Sequence, residues 1–167
     1  MIKTHLKYLR YVLRHKWFVL IEGRKLGLGW WRLIVHDWSK FSSAEFGPYA
    51  RFFYGDEPSS KTGGPMRKAT PEFAAAWKHH WQNNPHHWEY WAESNFKGKS
   101  FSHLIAPMPD VFRREMLADW RAAGRAITGT DNTVGWYAIQ RDKIVLHPET
   151  REWIESQLGY SEFGESE

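Results

Sequence analysis

Apolar positions recur at helical spacing along most of the chain, and the runs break at glycine, proline and serine. Over residues 2–26 the pattern predicts one long helix. Lys3, Lys7, Arg10 and Arg14 form a basic stripe on it, while Leu6, Leu9, Leu13, Trp17 and Leu20 lie on the far side. His5 and His15 fall within the broad apolar sector, and Gly27 and Gly29 end the helix. A second short helix is predicted over 30–40, and a third over 43–54, opened by Ser42 or Ser43. The Gly55–Arg67 stretch reads as a loop, either a surface excursion or a lid. Thr70-Pro71 is a helix start that runs to about Asn84, with Phe73, Ala76, Trp77, His80 and Asn84 on one face and His79 turned to the flank. Pro85 restarts the chain into a short helix at 86–95, and a second loop spans 97–109. Asp110 is expected to cap a helix to Ile127 that carries Glu115 and Asp119 at i, i+4. Residues 133–144 fit a helix or a hairpin, and Pro148 opens a last helix before Gly159. The pattern is all-α: one domain over 1–160 and a frayed tail at 161–167.

Composition narrows the chemistry. There is no cysteine among the 167 residues, so disulfides, zinc ribbons and thiol catalysis are excluded, and any metal must be held by nitrogen and oxygen donors. The 11 tryptophans are more than an ordinary core of this size requires, so some of these rings are expected as pocket walls. Basic residues interrupt the N-terminal segment, so it does not read as a secretory signal. No apolar run approaches the ~18 residues of a membrane span. The charge is uneven. Residues 1–83 carry 14 Lys and Arg against 6 Asp and Glu, whereas residues 84–167 carry 9 against 13. The basic half suits an anionic substrate, nucleic acid or a membrane surface; a solvated helix face is the plain alternative. Other catalytic signatures are missing: no glycine-rich phosphate loop, no nucleophile elbow and no His-Glu-x-x-His.

What remains distinctive is the histidines. His36-Asp37-Trp38-Ser39-Lys40 is followed by His79-His80 and His86-His87 in a tryptophan-rich stretch, then by Asp119 on its own helix. Imidazole and carboxylate together suit Mn, Fe, Co, Ni or Zn. Adjacent residues on a helix point ~100° apart, so His36 and Asp37 reach one ion only at a helix end or edge. The inward phase favours His80 over His79.

These words, in this order, resemble the HD-domain superfamily of metal-dependent phosphohydrolases, whose pattern is His, then His-Asp, then Asp. More closely, the chain is similar to a family of phage and bacterial HD-related proteins. The similarity rests on His15-Lys16, His36 to Phe41, Glu45-Phe46, Ala76 to His80, Asn84 to Trp91 and Glu115 to Trp120, with Leu146 to Thr150 later. It implies an HD-domain-like helical bundle with one ion on His15, His36, Asp37 and Asp119. His5 is the alternate first ligand. In two-metal members a middle His and a later His-His pair hold a second ion, which would fall here on His80 with His86 or His87, although the spacing differs.

The expected activity is hydrolysis of a nucleotide or other small phosphate ester by metal-activated water. Asp37, Lys40 and His80 would serve catalysis, and Lys40, Arg113 and Trp88 would bind substrate. Trp38 and Trp81 are further stacking candidates. Two other classes fit the same residues: an HD-fold di-iron oxygenase, and a non-enzymatic nucleotide- or nucleic-acid-binding protein using the basic stripe. The expected location is the cytoplasm of a bacterial or phage-infected cell.

Overall fold

In the computed structural model, the described residues are 2–56, 68–93 and 105–160. Most of the predicted 55–67 loop, the start of the 97–109 loop and the 161–167 tail lie outside them. The described residues form eight α-helices and no strand: α1 Ile2–Lys25, α2 Trp30–Val35, α3 Phe46–Tyr54, α4 Pro71–Asn83, α5 Trp88–Glu93, α6 Asp110–Thr128, α7 Thr133–Gln140 and α8 Pro148–Leu158. The fold is all-α, as the periodicity requires, and the 133–144 segment resolves as helix. α4 begins as its sequence dictates, with the Thr70 hydroxyl accepting from the Phe73 amide at 3.2 Å and Pro71 in the first turn. α8 begins similarly, with His147 Nδ1 accepting from the Glu149 amide. α1 ends at Gly27, whose φ of 79° lies in the left-handed region.

α6 is the central helix. Ala118, Ala122 and Ala126 repeat at i, i+4, i+8 and are buried, so α1 can pack closely along it. α6 also supplies all three apolar clusters. Ala126 joins Tyr8, Tyr11, Val12 and Tyr49; Ala122 joins Val19, Leu28 and Leu33; Met116 and Leu117 join Tyr137, Ile144 and Ile154. Enlarging this seam should be costly. Ala122→Leu is expected to lower stability by about 1–3 kcal/mol in urea unfolding, because the added carbons meet packed Val19 and Leu33.

Four local expectations are corrected. The inward face of α1 is Tyr8, Tyr11, Val12, His15, Val19 and Glu22, whereas Leu6, Leu13 and Trp17 are exposed. At ~100° per residue, the leucine stripe lies roughly 90° from the basic stripe rather than opposite it. The predicted 30–40 helix is broken. α2 stops at Val35, His36 is extended, Asp37 has φ 55°, and a 3-10 turn, Trp38–Phe41, follows. The Lys16 ammonium donates to the carbonyls of Ile34 (3.0 Å) and His36 (2.5 Å), satisfying groups that a continuing helix would have used. α3 starts at Phe46, which frees Glu45 to turn inward. Asp110 is the first residue of α6 rather than its cap, and it pairs with Arg113 and Arg114.

Candidate metal centre

The break at His36-Asp37 places two consecutive side chains in one buried cluster, which an unbroken helix would not do. His15 arrives from α1, Asp119 and Glu115 from α6, His80 from α4, and His86 and His87 from the turn between α4 and α5. Three donor groups result among the described residues, the smallest being His36, His86 and Glu115. His15, His36, Asp37 and Asp119 each offer an atom within 4.8 Å of the others, and so do Asp37, His80, His86 and His87. Asp37 belongs to both of these larger groups, and its two oxygens divide between them. Oδ2 lies 3.6 Å from His15 Nε2 and 3.2 Å from His36 Nε2, while Oδ1 lies 3.4 Å from both His80 Nε2 and His86 Nε2.

The first group closes with Asp119 Oδ1 at 2.9 Å from His15 Nε2 and 3.3 Å from His36 Nε2. In the second, His80 and His87 bring their Nε2 atoms to 2.9 Å. Donors bound at 2.0–2.2 Å to one ion sit about 2.8–3.6 Å apart in octahedral or tetrahedral geometry, and the pairs quoted span 2.9–3.6 Å. His15 Nε2, His36 Nε2, His86 Nε2 and Asp37 Oδ1 are buried yet make no hydrogen bond. Each of the four lies 2.9–3.4 Å from another donor of its group, so a cation shared between them would satisfy these buried atoms.

Carboxylates behind the ring hold the histidines in place. His36 Nδ1 donates to Glu115 Oε1 at 2.9 Å, which turns Nε2 inward, and Arg32 holds the other Glu115 oxygen at 2.8 Å. His80 Nδ1 meets Glu45 Oε2 at 2.8 Å, with His79 on Oε1 at 2.7 Å. Such carboxylate–histidine pairs fix tautomer and direction in metal sites. Asn84 donates to the His80 carbonyl at 2.6 Å and to Ser39 Oγ at 2.8 Å, tying α4 to the 3-10 turn. Lys40, buried, forms an ion pair with Asp37 Oδ2.

The charge states suit cation binding. Burial opposes ionisation of Asp37, but His36, Lys40 and His80 together hold its carboxyl well below the usual range. Burial likewise opposes ionisation of Asp119, and the His15 and His36 imidazoles beside it hold it low. Burial lowers His80, and burial with neighbouring His86 and His80 lowers His87 well below the ordinary imidazole value, leaving both neutral. The His36 imidazole is the exception: Asp37, Asp119 and Glu115 raise it against the effect of burial, so a cation must displace its proton to bind there.

Of the anticipated residues, the fold gathers His15, His36, Asp37, Asp119, Lys40, His80, His86 and His87. His5 is not among them. It lies ten residues before His15, about 15 Å along the axis of α1, and stacks on Phe46. Arg113 is also away from the centre: two residues before Glu115 it points elsewhere on α6, pairs with Asp110 and covers the Trp153 ring. Trp88 packs into the cluster around Met116 and Leu117; Trp81 is buried and Trp38 is exposed. Instead, Trp77, Trp120 and Trp136 line a pocket of about 300 Å³ with Ile127, Asn132 and Asp119. A second, more polar cleft of about 500 Å³ reaches His36 and His86 past Arg32 and Asn83. Sequence reasoning left Glu115 unassigned although its i, i+4 phase with Asp119 pointed at the same centre.

Fold and site together define an all-α protein with buried His/Asp/Glu groups that can hold metal. The model of a family of unknown function, DUF5662, matches residues 4–160, and the chain belongs to that family. No curated protein and no solved structure matches it.

Metal should register as stability. Titrating Mn, Fe, Co, Ni or Zn into chelator-stripped protein is expected to raise Tm, with about 2.7 kcal/mol gained at a hundredfold excess over Kd. Differential scanning fluorimetry reads this, and a flat response to all five metals would remove the metal assignment.

Proposed function

We propose that this chain is an HD-type metal-dependent phosphohydrolase whose two ions share Asp37, and that its substrate is a nucleotide or a related aryl-bearing phosphate ester. The observation that carries the reading is the division of the Asp37 oxygens between two buried donor groups. A pair of divalent ions lowers the pKa of water toward neutrality and neutralises phosphoryl oxygens. His15, His36 and Asp119 would hold one position with Asp37, and His80, His86 and His87 the other. Glu115 and Glu45 keep His36 and His80 in the tautomers that present Nε2. Lys40 balances the Asp37 carboxylate and places an ammonium beside the centre, where a phosphate gains from it. The tryptophan pocket supports the substrate class. Asp119 contributes to its wall, planar faces come from Trp77, Trp120 and Trp136, and Asn132 offers polar edge contacts.

The test is metal-loaded protein against nucleoside mono-, di- and triphosphates, cyclic nucleotides and generic phosphate esters, with released phosphate or nucleoside measured. Turnover that chelation abolishes and a divalent ion restores is expected. No phosphate release, with oxygen consumed by the iron-loaded form, would replace this reading with the oxygenase one. Binding without turnover would replace it with a binding protein. If a base stacks in the pocket, Trp136→Ala should raise KM about tenfold or more with kcat little changed, since base–aromatic stacking contributes ~1–3 kcal/mol.

A further inference from the structure

The outward face of α1 is apolar along nearly its whole length, although no described helix rests on it. Ile2, Leu6, Leu13 and Trp17 share one stripe and are exposed, Trp17 at 62%. Arg24 continues that stripe, and Lys3, Lys7, Arg10 and Arg14 run beside it. α2 extends the surface. Its Trp30, Trp31, Ile34 and Val35 point away from buried Leu33, with Trp31 at 75% exposure, and Trp38 follows at 64% with Phe41 against it. The two helices are joined at this face. Arg24 lies over the Trp30 ring at 4.7 Å, and Lys16 lies over Trp38 at 6.0 Å while bonding the Ile34 carbonyl. Acidic residues are absent from the exposed part of the segment: its two carboxylates, Glu22 and Asp37, are both buried.

We propose that this face docks the protein on an anionic lipid surface. Aliphatic and indole side chains enter the headgroup–acyl boundary, and the adjacent lysines and arginines meet lipid phosphates and carboxylates. The charge pattern selects this occupant. A second copy would bring two cationic faces together. Nucleic acid would satisfy the cations but leave Ile2, Leu6, Leu13 and Ile34 against water and phosphate. No described helix is long and apolar enough to cross a membrane, so the docking is peripheral.

The experiment uses the full chain with vesicles of phosphatidylcholine alone and of phosphatidylcholine with phosphatidylserine in equal amounts. Sedimentation with the anionic vesicles only, a blue shift of tryptophan emission, and release by salt are expected. Lys7→Glu with Arg10→Glu should weaken partitioning roughly thirtyfold or more, as each basic residue near such a surface contributes about a fivefold factor. Trp17→Ser with Trp31→Ser should abolish sedimentation while the far-UV spectrum stays that of the parent. Failure to bind anionic vesicles overturns the proposal, as does vesicle binding that neither pair of substitutions changes. Association of the chain with itself that the tryptophan pair abolishes would assign the face to a second copy. Tighter binding to a DNA duplex than to vesicles, unaffected by the tryptophan pair, would assign it to nucleic acid.

Discussion

Asp37→Asn should strip the protein of both proposed ions, whereas substitutions elsewhere in the cluster should remove one. Asp37 is the single residue common to the two four-residue donor groups, with Oδ2 toward His15 and His36 and Oδ1 toward His80 and His86. An amide has the same shape but only one oxygen and no charge, so one position loses its donor and both lose the anion. Asp119→Asn is expected to spare the His80 side, and His87→Ala to spare the His15 side. Elemental analysis of the purified variants gives the outcome directly. A full metal complement in Asp37→Asn, or loss of both ions in His87→Ala, would show that the carboxylate does not bridge.

The second large effect is on rate. His36→Ala and Asp119→Asn should each lower kcat by about three orders of magnitude or more, roughly 4 kcal/mol of transition-state stabilisation, with much smaller changes in KM. Lys40→Met should act on both parameters, because an ammonium beside the centre attracts phosphate in the ground state and in the transition state alike. Steady-state kinetics on the first substrate found to turn over separates the two patterns. A kcat within tenfold of wild type for His36→Ala would place the chemistry elsewhere in the molecule.

The helices are legible in the sequence wherever start and stop chemistry is local: Thr70-Pro71 and Gly27 act through their own backbone, and both are read correctly. The inner face of α1 is less legible, because that helix carries two apolar faces and periodicity alone does not say which meets α6. Tyr8, Tyr11 and His15 lie inward, while the more hydrophobic Leu6 and Leu13 lie outward. The donors are legible through their order along the chain, with His80 favoured by its phase on α4. Their supporting shell is not. Glu45 and Glu115 matter through contacts to residues 35 and 79 positions away; the i, i+4 phase of Glu115 with Asp119 gives its direction but not that partner. Arg113 and Trp88 show the converse: residues of suitable chemistry, close in sequence to the site, whose helical phase and packing commit them to other partners.

The donors are drawn from segments reaching from residue 15 to residue 119, with α6, the central helix, closing the ring through Asp119 and Glu115. A chain emerging from the ribosome therefore carries six of the seven proposed ligands long before it has the last. Until α6 docks against α1, these histidines have no Asp119 to complete the first position and no Glu115 to orient His36. On the proposed two-ion reading, tight metal uptake would be a late event in the life of the chain, coupled to the docking of α6 on α1. It would act as a checkpoint that fragments ending before residue 110 could not pass.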